Sequence, residues 1–161
     1  METKAGTPRS PPSRWQISST DSMPRTRVET RARARVLQAL YAWDLRGEQA
    51  LERVARQIWD DLSVPQEERR IAGTLVHTVA EHGRELDAEL AEVTTNWRLD
   101  RLGVVERSVL RMGAAELLGG KTPPRVVIQE GVKLAERYGS VQSAKFVNGV
   151  LDALARRMGR I

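Results

Sequence analysis

From about Thr26 onward, apolar residues recur every three or four positions, and this period predicts one helix after another with no strand between them. The first helix begins near Thr26 and stops at Gly47. A helical wheel places Ala32, Val36, Ala39, Leu40 and Trp43 on one face and Arg27, Arg31, Arg35 and Gln38 on the other, with Arg33 at the border. A shorter helix follows, with Leu51, Val54, Ala55, Ile58 and Trp59 inward. Ser63, Pro65 and Gln66 then read as cap, first-turn proline and capping-box partner of a long helix. Its stripe of Ile71, Leu75, Val79, His82, Leu86, Leu90, Val93 and Trp97 has heptad-like spacing, and a bend is expected near Gly83.

Asp100 is the expected cap of the next helix, which carries Val105, Val109, Met112 and Leu117 and ends at Gly119-Gly120. Thr122-Pro123-Pro124 opens another, with Val127, Ile128, Leu134 and Tyr138 inward and Gly139 as a left-handed stop. The stretch Arg125–Ile128 is β-branched but follows a proline start signal, so it reads as helix. Ser140 opens the last helix, with Phe146, Val147, Val150, Leu151, Leu154 and Met158. Within it, Asn148 and Gly149 break the pattern, and glycine weakens a helix interior by up to about 1 kcal/mol. The favoured reason is structural: Asn148 bonds nearby backbone and Gly149 admits a neighbouring helix. A partner surface is the other reading.

Residues 1–24 are rich in proline, serine, threonine and glycine without apolar period, so they are expected to be disordered, leaving 25–161 as the folded domain. Met23 is an alternative translation start. The chain has 161 residues, 40% of them hydrophobic, enough for one modest core. It has no cysteine, which excludes disulfides, thiolate metal sites and cysteine nucleophiles. With no membrane-length apolar run and no signal core, a cytoplasmic protein is expected.

Charge sharpens the picture. The formal net charge is +5, and residues 24–46 hold +4 of it through Arg25, Arg27, Arg31, Arg33, Arg35 and Arg46 against Glu29 and Asp44. The 115 residues after Arg46 balance 17 basic against 17 acidic side chains. A basic stripe beside a neutral body suits a polyanion partner, although a solvated arginine-rich helix start has the same composition. Catalytic patterns are missing. His77 and His82 are five apart, without the spacing of a helical zinc pair, and no glycine-rich phosphate loop occurs. Carboxylates such as Glu67 near Arg70, and Glu106 near Arg107 and Arg111, read as solvated surface pairs. No enzyme, metal or cofactor is expected.

Several segments resemble the NusB family. They are Ala32-Arg33 with Gln38-Ala39-Leu40-Tyr41; Trp97, Leu99, Arg101-Leu102, Arg107, Leu110-Arg111 and Glu116-Leu117; Ile128-Gln129-Glu130, Leu134-Ala135 and Tyr138-Gly139; and Lys145 through Asp152. Their order along the chain is that of the family. The resemblance implies an all-α bundle of about seven helices in two packed subdomains. It also implies a non-catalytic antitermination factor that binds boxA-type single-stranded leader RNA of ribosomal RNA operons. The implied partners are NusE, a small-subunit ribosomal protein, and the RNA polymerase antitermination complex. The implied RNA-facing residues are Arg27, Arg31, Arg33, Arg35 and Gln38 of the first helix, with Lys145 and Phe146 of the last. Replacing Arg31 and Arg33 by alanine is then expected to weaken RNA binding without unfolding. Glu29, Thr30 and Gln142 depart from the family pattern, which bears on RNA specificity. Two alternatives stay open: a helical module that forms a homodimer, and an accessory RNA-binding domain of ribosomal RNA modification. The latter needs a cofactor-binding α/β domain for which 161 residues leave no room.

Overall fold

The computed structural model describes residues 25–47, 49–94 and 98–161, the side chains of the first three excepted. Within them lie six α-helices: α1 (Arg25–Arg46), α2 (Leu51–Asp61), α3 (Gln66–Val93), α4 (Val104–Gly119), α5 (Pro124–Tyr138) and α6 (Val141–Arg157). One 3₁₀ turn, Leu99–Arg101, precedes α4. Helices α1, α2 and α3 pack on one another, as do α4, α5 and α6, and the two groups meet where α1 and α3 lie on α4 and α3 touches α6. The all-α bundle inferred from periodicity is therefore present, and a single apolar core runs through both groups.

Helix α1 is the axis of this arrangement. Its residues from Ala32 to Gln38, and on to Leu40, are all buried. The two-faced wheel was too narrow, because α2, α3 and α4 enclose this helix on several sides. A helix buried all round must pair whatever polar groups it carries. Arg33, Arg35 and Gln38 are those groups here.

Helix α3 serves both groups by bending. The bend lies at His82, whose φ of −109° and ψ of 15° are not helical, one residue from the expected position. Before the bend, Glu68 pairs with Arg35 of α1 and His77 with Glu52 of α2; after it, Asp87 pairs with Arg111 of α4 and Glu89 with Arg157 of α6. Its fully covered positions are Ala72, Val76, Val79, Leu86 and Leu90, while Ile71 and Leu75 are only half-buried. Trp97 lies outside the described residues.

Several helix ends differ from expectation. Ser63 does not cap α3: it takes a positive φ of 51°, and Pro65 precedes the helix without a side-chain cap. Asp100 falls in the 3₁₀ turn, and Gly103 stands before α4 instead. Gly139 is not left-handed, with φ of −114°; it is required because a Cβ there would come within 2.7 Å of the Ala135 carbonyl oxygen. Gly47 and Gly120, with φ of 74° and 69°, are the left-handed residues that follow α1 and α4. Ser140 does cap α6, accepting a hydrogen bond from the Ser143 amide at 3.0 Å. No helix among the described residues is long and apolar enough to cross a membrane.

Candidate nucleic-acid interface

The basic residues of α1 divide into two populations. Arg33 is buried, with its guanidinium against the Glu116 carboxylate of α4: Nε lies 3.0 Å from both oxygens and Nη2 2.8 Å from Oε1. Glu130 of α5 approaches to 3.8 Å and itself accepts a 2.9 Å hydrogen bond from the Thr30 hydroxyl. Burial alone would lower the Arg33 pKa. The hydrogen bond and charge of Glu116, with the charges of Glu130 and Glu29, reverse this and raise it above its ordinary value. Arg35, also buried, donates from Nε to Glu68 at 3.1 Å and from Nη1 to Gln38 at 3.3 Å. The Trp59 indole closes the cluster by donating to the Arg35 carbonyl at 3.1 Å.

Arg33, Arg35 and Gln38 therefore do not lie on an open RNA-facing surface as expected; they fix α1 to α3, α4 and α5. Sequence reasoning missed this because the partner carboxylates Glu68, Glu116 and Glu130 lie 33 to 97 residues away. Arg31 is different. It is half-exposed and has no ion-pair partner among the described residues. The side chain of Arg27 lies outside the described residues.

On α6, Lys145 is exposed and Phe146 half-buried, packed on the core. Tyr41 is likewise half-buried against the core. Helices α1 and α6 both pack on α4, and the Thr30–Glu130 bond ties the start of α1 to α5, which lies along α6. Arg31 and the Lys145–Phe146 pair thus stand on elements joined through a shared layer.

The supposed surface pairs also changed. Arg107 donates to both oxygens of Asp44 at 2.7 Å and to the Leu102 carbonyl at 2.7 Å. Arg111 meets Asp44 at 3.3 Å and Asp87 at 3.0 Å, and its guanidinium lies 5.4 Å from the centre of the Trp43 ring. Burial tempers but does not cancel the first effect on Arg107, the Asp44 hydrogen bond, so its pKa is raised. Glu106 instead accepts from the Ser143 hydroxyl. These contacts clamp α1, α3 and α4 together rather than decorating one helix. Among the described residues, no group of three His, Asp or Glu side chains is placed to hold a metal.

The structural reading of Asn148 and Gly149 fails. Both are exposed, and a Cβ on Gly149 would meet nothing within 4 Å. The close helix approach lies instead at Gly113 and Gly131, where a Cβ would reach Leu151 at 2.7 and 2.9 Å.

Comparison with known proteins agrees with this architecture. The NusB family model matches residues 30–156. Over 131 residues the chain is 45% identical to the transcription antitermination protein NusB of Anaeromyxobacter dehalogenans, covering 81% of this chain and 92% of that protein. The NusB structure from T. maritima superposes with a TM-score of 0.74 at 34% identity, covering 80% of this chain and 90% of that one. A NusB crystal structure with NusE and double-stranded RNA gives 0.71 at 34% identity, covering 84% and 99%. On the family match, the identity and the shared fold, this chain belongs to the NusB family.

Proposed function

We propose that this protein is a cytoplasmic, non-catalytic transcription antitermination factor. It binds boxA-type single-stranded leader RNA of ribosomal RNA operons together with NusE and acts within the RNA polymerase antitermination complex. The observation that carries this reading is the relative of the same fold in complex with NusE and RNA, matched over 84% of this chain. The charge distribution supports it, since arginine at the start of α1 neutralises phosphate and stacks on unpaired bases. In this reading Arg27, Arg31, Lys145 and Phe146 touch RNA, with Phe146 as a stacking face. Arg33, Arg35 and Gln38 are positioning residues that hold α1 in place.

The test is a gel shift with boxA RNA, with and without NusE. Binding is expected to strengthen with NusE and to fall with salt at a slope near about −3, as for about four phosphate contacts on a single strand. Affinity indifferent to RNA sequence and unchanged by NusE would leave only a generic basic bundle.

A further inference from the structure

Asn148 and Gly149 each weaken the interior of α6, and neither returns anything to the fold. Gly149 faces open space, and the exposed Asn148 amide has no hydrogen-bond partner among the described residues. A local rule broken without structural compensation marks a surface used for something else. Asn148 lines a shallow groove between α5 and α6 together with Arg125, Gln129 and Arg156. The exposed residues Arg125, Gln129 and Lys133 follow one another at four-residue intervals on α5. Lys145, Asn148, Asp152 and Arg156 run along α6 at intervals of three, four and four.

The charge along the rims of the groove is one-sided: Arg125 lines it, and the exposed Lys133 and Lys145 flank it on α5 and α6. Arg125, Lys133 and Lys145 have no ion-pair partner among the described residues, whereas Arg156 is paired with Asp152 at 2.9 Å. Glu136, at the far end of α5, is the other acid nearby. Linear charge counting misses this patch because the carboxylates that balance it in sequence face other helices, as Glu106 and Glu130 do.

We infer that the α5–α6 groove is a second RNA subsite, in which Asn148 and Gln129 hydrogen-bond the edges of unstacked bases while Arg125, Lys133 and Lys145 hold the phosphates. Amide side chains supply both donor and acceptor to a base edge, and bases of a single strand present their pairing edges for this use. The missing side chain at Gly149 leaves the base room beside Asn148. From Lys145 to Arg156 the ridge is about 16 Å long, room for a short run of single-stranded backbone. The inference rests on the RNA-binding function proposed above and extends the strand beyond Lys145 and Phe146.

The experiment measures anisotropy of the full chain with three labelled single-stranded RNAs: a boxA-type octamer, and the same octamer extended by five nucleotides at its 5′ end or at its 3′ end. One extended RNA is expected to bind about tenfold tighter than the octamer. Asn148→Ala with Gln129→Ala should abolish that gain while leaving octamer affinity unchanged and without lowering the thermal transition. Arg125→Ala with Lys133→Ala should reduce the salt slope of the extended RNA by about 1.4. Equal binding of all RNAs by wild-type protein, or an undiminished gain in the double amide variant, overturns the subsite while leaving the octamer site intact. Loss of NusE binding in that variant, with RNA affinity unchanged, assigns the groove to protein and also overturns it. Failure of wild-type protein to bind any of these RNAs defeats the underlying RNA reading as well.

Discussion

Arg33→Ala is the sharpest test of the division between surface and buried arginines. The Arg33 and Glu116 side chains are 4% and 6% exposed and share contacts of 2.8–3.0 Å. Removing the arginine leaves Glu116 buried without its cation and withdraws positive charge from Glu130. Breaking such a pair from one side costs about 3–5 kcal/mol, a large share of a domain stability of about 5–15 kcal/mol. For a chain of this size that lowers the melting temperature by about 6–20 °C. Urea unfolding followed by circular dichroism reads the loss directly. The paired replacement Arg33→Met with Glu116→Leu should recover most of the stability, because apolar groups can replace a buried pair at little cost. Arg31→Ala should stay within about 0.5 kcal/mol of wild type while weakening RNA binding. A loss below about 1 kcal/mol for Arg33→Ala would refute the argument, since an open, solvated pair loses no more than that. The double alanine replacement of Arg31 and Arg33 therefore cannot separate binding from folding.

Other expectations follow from single sites. The Ser108 hydroxyl is fully buried and has no hydrogen-bond partner among the described residues, so Ser108→Ala should stabilise the protein by about 1 kcal/mol in urea titration. Gly149→Ala should stabilise it by up to about 1 kcal/mol, whereas Gly139→Ala should destabilise it because its Cβ would meet the Ala135 carbonyl oxygen at 2.7 Å; the same titration should give opposite signs. The His77 pKa is raised, first by the Glu52 hydrogen bond and then by Glu52 charge. Its stabilising contribution is complete below about pH 6.5 and is lost as pH rises through the raised folded value. Glu52→Gln should lower the His77 pKa in an NMR titration and flatten that part of the stability profile.

Periodicity was enough for the helices because it reports burial within a few residues. Leu86 and Leu90 on α3, and Val147, Val150, Leu151 and Leu154 on α6, are buried where the pattern put them. It misled where a helix has more than one neighbour: the wheel assigned Arg35 and Gln38 to solvent because no local signal records that α3 covers them. Caps failed at Ser63 and Asp100 for a related reason, since good capping residues also suit tight turns and both lie in one. Ser140 succeeded because its acceptor and donor are three residues apart. Of the residues expected to face RNA, Lys145 is exposed and Arg31 and Phe146 are half-exposed, as such a surface requires. The α5–α6 groove was not legible in the sequence, since it depends on which helices the balancing acids face.

The break at His82 makes α3 two rods joined at a pivot rather than one beam. The first rod is fastened to α1 and α2 through Glu68 and His77, the second to α4 and α6 through Asp87 and Glu89. A force applied to one rod is not transmitted along an unbroken ladder of backbone bonds. It passes through the Asp44–Arg107–Arg111–Asp87 buckle. Any relative tilt of the two halves would be taken up at this pivot and resisted by that buckle together with the Arg33–Glu116 and Thr30–Glu130 contacts and the shared apolar core. Amides next to His82 should exchange with deuterium sooner than those at Val76 or Leu90, locating a soft point in the middle of the long helix α3.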